Sequence, residues 1–353
     1  MSRNPKTFRR PAAKSAPEAD VAVSCRVRLA RNLAGHRFPD WAGDSEREKI
    51  RQRLEKAVMA TPAFRKGVSM AVEQMDDLML EELWERRLIS RDLMDCGAGS
   101  GVAISRDATL SVMFNEEDHL RIQVLRPGMD VKRAWELADQ VDTQIERNVR
   151  YAFDETLGYL TSCPSNLGTA LRASVMLHLP GLHYEGDLQA VFRALDALRV
   201  EVRGMGGEGS ESVGTLVQVS NQGTLGLDEP SVVSGLLRIV DETVRQERFA
   251  RRRLLRDRPL VALDYVARSL AMLKNARIMG FEEAVSFLYA LQLGLEWGML
   301  DGIDRKTLDT LVEDMQLGFL RRSADGVVPD PFHFAAFRCV LLGEQLSNVE
   351  LRS

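Results

Sequence analysis

Between residues 102 and 125 apolar and polar side chains alternate with a period of two, the pattern of paired strands. Arg106-Asp107-Ala108-Thr109 interrupts the run as a hairpin turn. Further on stands an acidic crowd, Asn115-Glu116-Glu117-Asp118-His119, followed by Arg121. Neighbouring carboxylates repel, and a buried charge without a partner is costly. A chain that places them here must face them with something cationic, in itself or in what it binds. Continued alternation puts Asn115, Glu117, His119, Arg121 and Gln123 on one face and Phe114, Glu116, Leu120, Ile122 and Val124 on the other. Taken alone, such a polar row is an ordinary solvated face. Other segments argue for a site.

The rest of the pattern sets the fold class. Helical spacing covers 46–60, 76–89, 130–149 and 187–197, and strands are predicted at 157–162, 172–179, 199–203 and 214–221. From Pro230 onward only helices are predicted, at 231–256, 260–278, 281–298, 304–316 and 331–347. The reading is an α+β body over 21–255, an all-helical C-terminal domain over 256–353, and a disordered basic tail over 1–20. With Lys+Arg 47 against Asp+Glu 51, the net charge of −4 is unlike that of a general nucleic-acid binder. The four cysteines, at 25, 96, 163 and 339, lack disulfide or zinc-finger spacing, which fits a reduced, cytoplasmic protein. No run reaches the ~18 apolar residues of a membrane span.

Arginine dominates the cations, and its planar fork suits phosphate and carboxylate. Arg26 and Arg28 share one face of the extended segment 24–32, with Arg31 close behind. Arg172 opens an apolar strand, and Arg203 ends another just before a glycine-rich loop. One such arginine is usually structural. Five in the same context (26, 28, 121, 172, 203) point to a convergent anion cradle, sufficient for a triphosphate with Mg²⁺ in a chain that has no Walker lysine loop. Gly204, Gly206 and Gly209 spell the dinucleotide fingerprint, but an alternating strand follows instead of the required helix, so a Rossmann reading is rejected. A mobile lid carrying Glu208 and Glu211 fits better. Cys163 ends a strand between Ser162 and Ser165, either of which could donate to a thiolate; a lone cysteine is more often a small buried hydrophobe. His178 reads as core, and the basic run 245–257 as a solvated helix face.

"SCRVRLARN", "FNEEDHLR", "TSCPSNLGTALRASV", "RGMGGEGSES" and "VSNQGTLG" occur in the order seen in ATP:guanido phosphotransferases. The chain most resembles the bacterial protein-arginine kinases of that family, closely over 21–255 and more loosely beyond. The resemblance implies an antiparallel sheet flanked by helices, binding Mg-ATP. It implies that Arg26, Arg28, Arg121, Arg172 and Arg203 hold phosphates, within nucleotide-binding stretches that take in Ser24, Cys25 and Val27, then Ala173, Ser174, Val175 and Met176, then Gly204, Met205, Gly206 and Gly207. Glu117 would bind the substrate guanidinium and act as base, Glu208 would be the second carboxylate, Cys163 a thiolate beside them, and Glu116 would serve the metal shell through water, with no direct metal ligand.

Kinases of small guanidino compounds carry a helical domain ahead of the first arginine motif, which begins here at Ser24. The resemblance therefore implies arginine side chains of proteins as substrate, rather than free arginine or another small guanidino compound. A non-catalytic adaptor of the same fold is a further alternative. A homodimer, a zinc-binding activator protein and a Clp protease are implied as partners by resemblance only. Three departures stand out. Arg87 occupies a position usually histidine, which leaves its ATP contact open, and Ala170 one usually glycine. The phosphoarginine-reading motif is replaced by "HFAAFR", in which His333, Phe334 and Phe337 do not supply its charges, which leaves allosteric control by phosphoarginine open.

Overall fold

Eight strands build one antiparallel sheet, and strand alternation decides what each of its faces touches. The computed structural model describes residues 16–198, 200–204, 215–316, 318–320 and 331–352. In chain order the elements of the body are β1 (Ala22–Arg31), α1 (Asp44–Met59), β2 (Val68–Ala71), α2 (Asp77–Glu85), α3 (Arg91–Asp95), β3 (Gly101–Ile104), β4 (Leu110–Phe114), β5 (Leu120–Pro127), α4 (Val131–Glu146), the short pair β6 (Phe153–Asp154) and β7 (Gly158–Tyr159), β8 (Leu171–His178), α5 (Pro180–Glu185), α6 (Leu188–Ala197), β9 (Val200–Gly204), β10 (Leu216–Asn221) and α7 (Glu229–Asp257). The large sheet runs β2-β3-β4-β5-β1-β8-β10-β9, each neighbour antiparallel. The antiparallel α+β body expected from the sequence is present.

One face is continuous core. Val27 and Leu29 of β1, Ile122 and Val124 of β5, Val175 and Leu177 of β8 and Val217 and Val219 of β10 pack beneath α4 and α7. Among the described residues the opposite face carries apolar clusters at its two ends. At one, α2 and α3 lay Leu80, Leu83 and Leu93 over Val102, Ile104 and Met113. At the other, Val285 of the C-terminal region packs on Met176 and Leu216. The stretch between is polar.

The C-terminal region, α8 (Pro259–Asn275), α9 (Phe281–Glu296), β11 (Leu300–Asp301), α10 (Arg305–Asp314), α11 (Pro331–Gln345) and β12 (Glu350–Leu351), has its own core of Leu273, Leu288, Leu291, Leu308, Leu342 and Leu346. Pro259 opens α8, where its missing N–H leaves no gap. Among the described residues no helix is long and apolar enough to cross a membrane.

Three expectations change. The helix predicted over 76–89 stops at Glu85, because Arg87 takes φ +57 and Ser90 caps a new helix by accepting from Leu93 N at 3.2 Å. The strand predicted over 157–162 shrinks to Gly158–Tyr159. The basic run at 245–257 is only partly solvated. Arg251, 5% exposed, bonds the fully buried Glu247 (2.7 Å) and the His178 carbonyl (2.9 Å), and Arg248 bonds Asp20 at 2.7 Å. Residues 16–20 are thereby fastened to α7.

Arg31, 1% exposed, is the most deeply buried arginine among the described residues. It points to the core side, donating to Asp142 (2.9 Å), Glu229 (3.1 Å) and the Thr169 carbonyl (3.0 Å), with its guanidinium 3.5 Å from the Tyr159 ring centre. It joins β1, α4, α7 and the loop before β8 in one charge-compensated knot. Removing one partner of a buried pair typically costs about 3–5 kcal/mol, since the other charge stays buried. Arg31→Ala is expected to destabilise by roughly that amount, read as a lower urea midpoint at unchanged slope.

Candidate active site

Register converges the arginines. Arg28 of β1 is the direct partner of Arg172 on β8 and of Gln123 on β5; Ala30 pairs with Arg121, Arg26 with Ser174, and Gln218, next to Met176, pairs with Arg203. Directly paired residues project from the same face. Ser24, Arg26, Arg28, Arg121, Arg172, Ser174 and Arg203 therefore all stand on the polar stretch, and Met176 shares the face under the C-terminal cover. The side chains of Cys25, Val27, Ala173 and Val175 are not brought there. They are buried in the core beneath, and burial pushes the Cys25 thiol up to about 12.

Like charges in direct opposition destabilise a sheet. Burial and the neighbouring Arg26, Arg121 and Arg172 hold the Arg28 guanidinium well below its ordinary pKa. Among the described residues its Nε, like that of Arg172, is buried with no hydrogen-bond partner. Glu201, one residue from Val202 on β9, bonds both Arg172 and Arg203 and lowers the local charge. The sequence reading passed over Glu201, although it lies on the same strand face as Arg203, two residues away. A cluster of cations with orphaned donors fits a polyanion such as a triphosphate.

The acidic crowd is not strand. β4 ends at Phe114, β5 begins at Leu120, and residues 115–119 form the connecting loop, with Asn115 at φ +48. Alternation therefore fails here, and the face assignment for Glu116 is corrected. Glu116, 3% exposed, accepts from Arg121 Nη1 and Ser90 Oγ, so it shares a side with Arg121 instead of opposing it. Its other oxygen accepts from Glu117 N at 3.2 Å. His119 is a staple: Nδ1 accepts from Leu33 N (3.0 Å) and Nε2 meets the Arg37 carbonyl (2.9 Å), while burial lowers its pKa to about 4. Asp118 accepts from Asn32 Nδ2 (2.6 Å) and Ser162 N (2.7 Å). Of residues 115–119, Glu117 alone is left partly exposed. Burial, then the Asp118 charge, raise its pKa, with Arg121 opposing.

Ser162 ties this loop to the cysteine. Its Oγ donates to the Glu117 carbonyl at 2.7 Å, leaving Ser165 as the hydroxyl beside Cys163, at 2.9 Å. Thr224 Oγ1 braces the same loop through the carbonyls of Ser165 (3.2 Å) and Leu167 (2.6 Å). Gly204 ends β9; Met205, Gly206, Gly207 and Glu208 lie outside the described residues, as does Glu211. β9 and β10 are antiparallel neighbours, in keeping with the rejection of a Rossmann reading. His178 is buried as expected.

The departures have local reasons. Ala170 sits at φ +49, a conformation glycine adopts without strain, which explains the usual glycine there. Arg87 is half-buried, its carbonyl accepts from Gln123 Nε2 at 2.7 Å, and its charge lies near Tyr289. In the "HFAAFR" segment Phe334 is core, and Arg338 donates to the carbonyls of Met315 (3.0 Å) and Met279 (2.7 Å).

A family model described as the ATP:guanido phosphotransferase C-terminal catalytic domain matches residues 49–250. The chain belongs to the ATP:guanido phosphotransferase family. A second model, described as the protein-arginine kinase McsB C-terminal domain, matches 260–352, and places the chain with the protein-arginine kinases. Curated protein-arginine kinases from Pelotomaculum thermopropionicum and Brevibacillus brevis are 39% and 40% identical, over 94% and 95% of this chain and 94% of each relative. Among solved structures, a lombricine kinase aligns with TM-score 0.59 at 26% identity, covering 68% of this chain and 72% of that one. A taurocyamine kinase from Schistosoma mansoni aligns with TM-score 0.57 at 25% identity, over 68% of this chain and 34% of its own.

Arg28→Gln separates binding from folding. Relieving the crowding of like charges is expected to raise the melting temperature of the nucleotide-free protein, while ATP affinity falls by about 10- to 100-fold (about 1.4–2.8 kcal/mol). Thermal shift with and without ATP reads both.

Proposed function

We propose that this chain transfers the γ-phosphoryl group of ATP to the guanidinium of arginine side chains in proteins, giving phosphoarginine and ADP. The observation that carries the reading is the apposition of the arginine face to the Glu117 loop and Cys163 in a chain of this family. The five arginines would align and neutralise the triphosphate, the main demand of phosphoryl transfer. Mg²⁺ would be carried by the nucleotide and would supply further charge neutralisation; Glu116, whose carboxylate already accepts from Ser90, Arg121 and Glu117 N, would serve its shell only through water.

A guanidinium is protonated far above neutral pH and is a poor nucleophile until oriented and relieved of a proton. Glu117 would grip the fork and take that proton as the nitrogen–phosphorus bond forms and the bond to the ADP oxygen breaks. Glu208 would be the second carboxylate on the fork, and Cys163 would lie beside it. Protein arginines, and not free arginine, follow from the likeness of both the body and the C-terminal region to protein-arginine kinases. A cytoplasmic setting, a homodimer, a zinc-binding activator and a Clp protease belong to the same reading through family resemblance alone.

Labelled ATP and Mg²⁺, offered with free arginine or an unfolded protein in parallel, are expected to give acid-labile label on the protein only. Label on free arginine refutes the choice of substrate, and no label in either tube with ATP still bound favours an adaptor. Glu117→Gln is expected to abolish transfer and retain ATP binding by calorimetry.

The raised Glu117 pKa has a pH consequence. The ionised form is lost as pH falls through a value above the ordinary ~4.3 of a glutamate, so the acid limb of kcat/KM lies above that range. Asp118→Asn keeps an acceptor for Asn32 and Ser162 but removes the neighbouring charge. Its acid limb is expected to move to lower pH.

A further inference from the structure

We infer that Ser90 is a positioning residue for Glu116 and Arg121, and that the C-terminal helical region sets its place by gripping the Glu85–Ser90 turn. The inference rests on the reading of Glu116 and Arg121 given above, and goes beyond it by tying their geometry to a remote contact.

Ser90 Oγ makes two bonds at once: it accepts from Leu93 N at 3.2 Å as the cap of α3, and donates to Glu116 Oε1. The same Oε1 accepts from Arg121 Nη1. Glu116's remaining bond is local, from Glu117 N. Ser90 is thus the outside partner that fixes the carboxylate on which Arg121 leans. Its own backbone N–H reaches Met113 Sδ at 3.3 Å, so it does not rest on α3 alone.

Five residues upstream the turn is held by the other half of the molecule. Gln316 Nε2 donates to the Glu85 carbonyl at 3.0 Å, and Gly318 N donates to Glu85 Oε2 at 2.7 Å. A Cβ at Gly318 would collide with Glu82 Cγ and lie 2.9 Å from Glu85 Oε2, so the approach is as close as backbone allows. Tyr289 of α9 lies near Arg87, which is held at φ +57 while its carbonyl accepts from Gln123 Nε2 on the arginine face. A bulky residue holds such a conformation only where its surroundings over-determine it. Here they come from both sides: C-terminal contacts behind, the sheet in front. The turn is short and bonded at both ends, so a displacement at Glu85 is passed to Ser90.

The test uses the full chain. Ser90→Ala is expected to lower kcat about 10-fold while the KM for ATP and the melting temperature stay within twofold and about 2 °C, and Ser90→Thr, which keeps the hydroxyl, is expected to recover most of the loss. Gln316→Ala is expected to lower kcat in the same way, and the Ser90→Ala/Gln316→Ala double variant to lose no more than the worse single one, because both act through one path. Gly318→Ala is a second probe of the grip if Gln316→Ala proves silent. Multiplicative losses in the double variant, or full kcat in Ser90→Ala, overturn the inference. Glu116→Gln separates the two levels. If it keeps full activity, the role of Glu116 itself fails; if it is inactive while Ser90→Ala is not, only the positioning inference fails.

Discussion

The structure is organised around a repulsion. Antiparallel register sets Arg28 directly against Arg172 and brings Arg26, Arg121 and Arg203 to the same strip of sheet, with Glu116 and Glu201 as the nearby counter-charges. No sheet gains from such a pairing by itself. The core on the other face must supply the stability that keeps the cations together, and the chain spends most of its apolar strand positions, and the three long body helices α1, α4 and α7, on doing so. Cradle and core are the two parities of the same strands.

The carboxylates follow a different rule. They are held by a loop in which every residue but Glu117 is tied down: Asn115 in a left-handed conformation, Glu116 between Arg121 and Ser90, Asp118 between Asn32 and Ser162, and His119 between Leu33 and Arg37. Among the described residues no such partner holds the Glu117 side chain. Rigid neighbours around one reactive group are what orientation of a nucleophile requires.

This contrast explains how much was legible in the sequence. Period-two alternation located the strands that carry the arginines, though not the edge strand Val68–Ala71, because register on a half-buried sheet leaves a chain little choice. Alternation failed at 115–119, where side chains bond backbone and each other, and it set Glu116 on the wrong side. Helical periodicity failed at Arg87, where the pattern continues through a left-handed residue and only the capping Ser90 signals a new start. Glu201 could have been found from its spacing to Arg203. Ser90 and Gln316 could not, since their roles depend on two regions meeting. Ala170 was visible as a departure, but only its dihedral shows what the departure strains.

Residues 16–20 join three parts of the molecule. The Pro17 carbonyl accepts from Met129 N at 2.8 Å ahead of α4, Asp20 pairs with Arg248 on α7, and the Ala19 carbonyl accepts from Arg305 at the start of α10 at 3.2 Å. Five residues of irregular chain thus act as a tie-rod between the catalytic body and the helices beyond it. A cut just after Asp20 would leave every strand and helix intact and yet slacken the joint between the two halves.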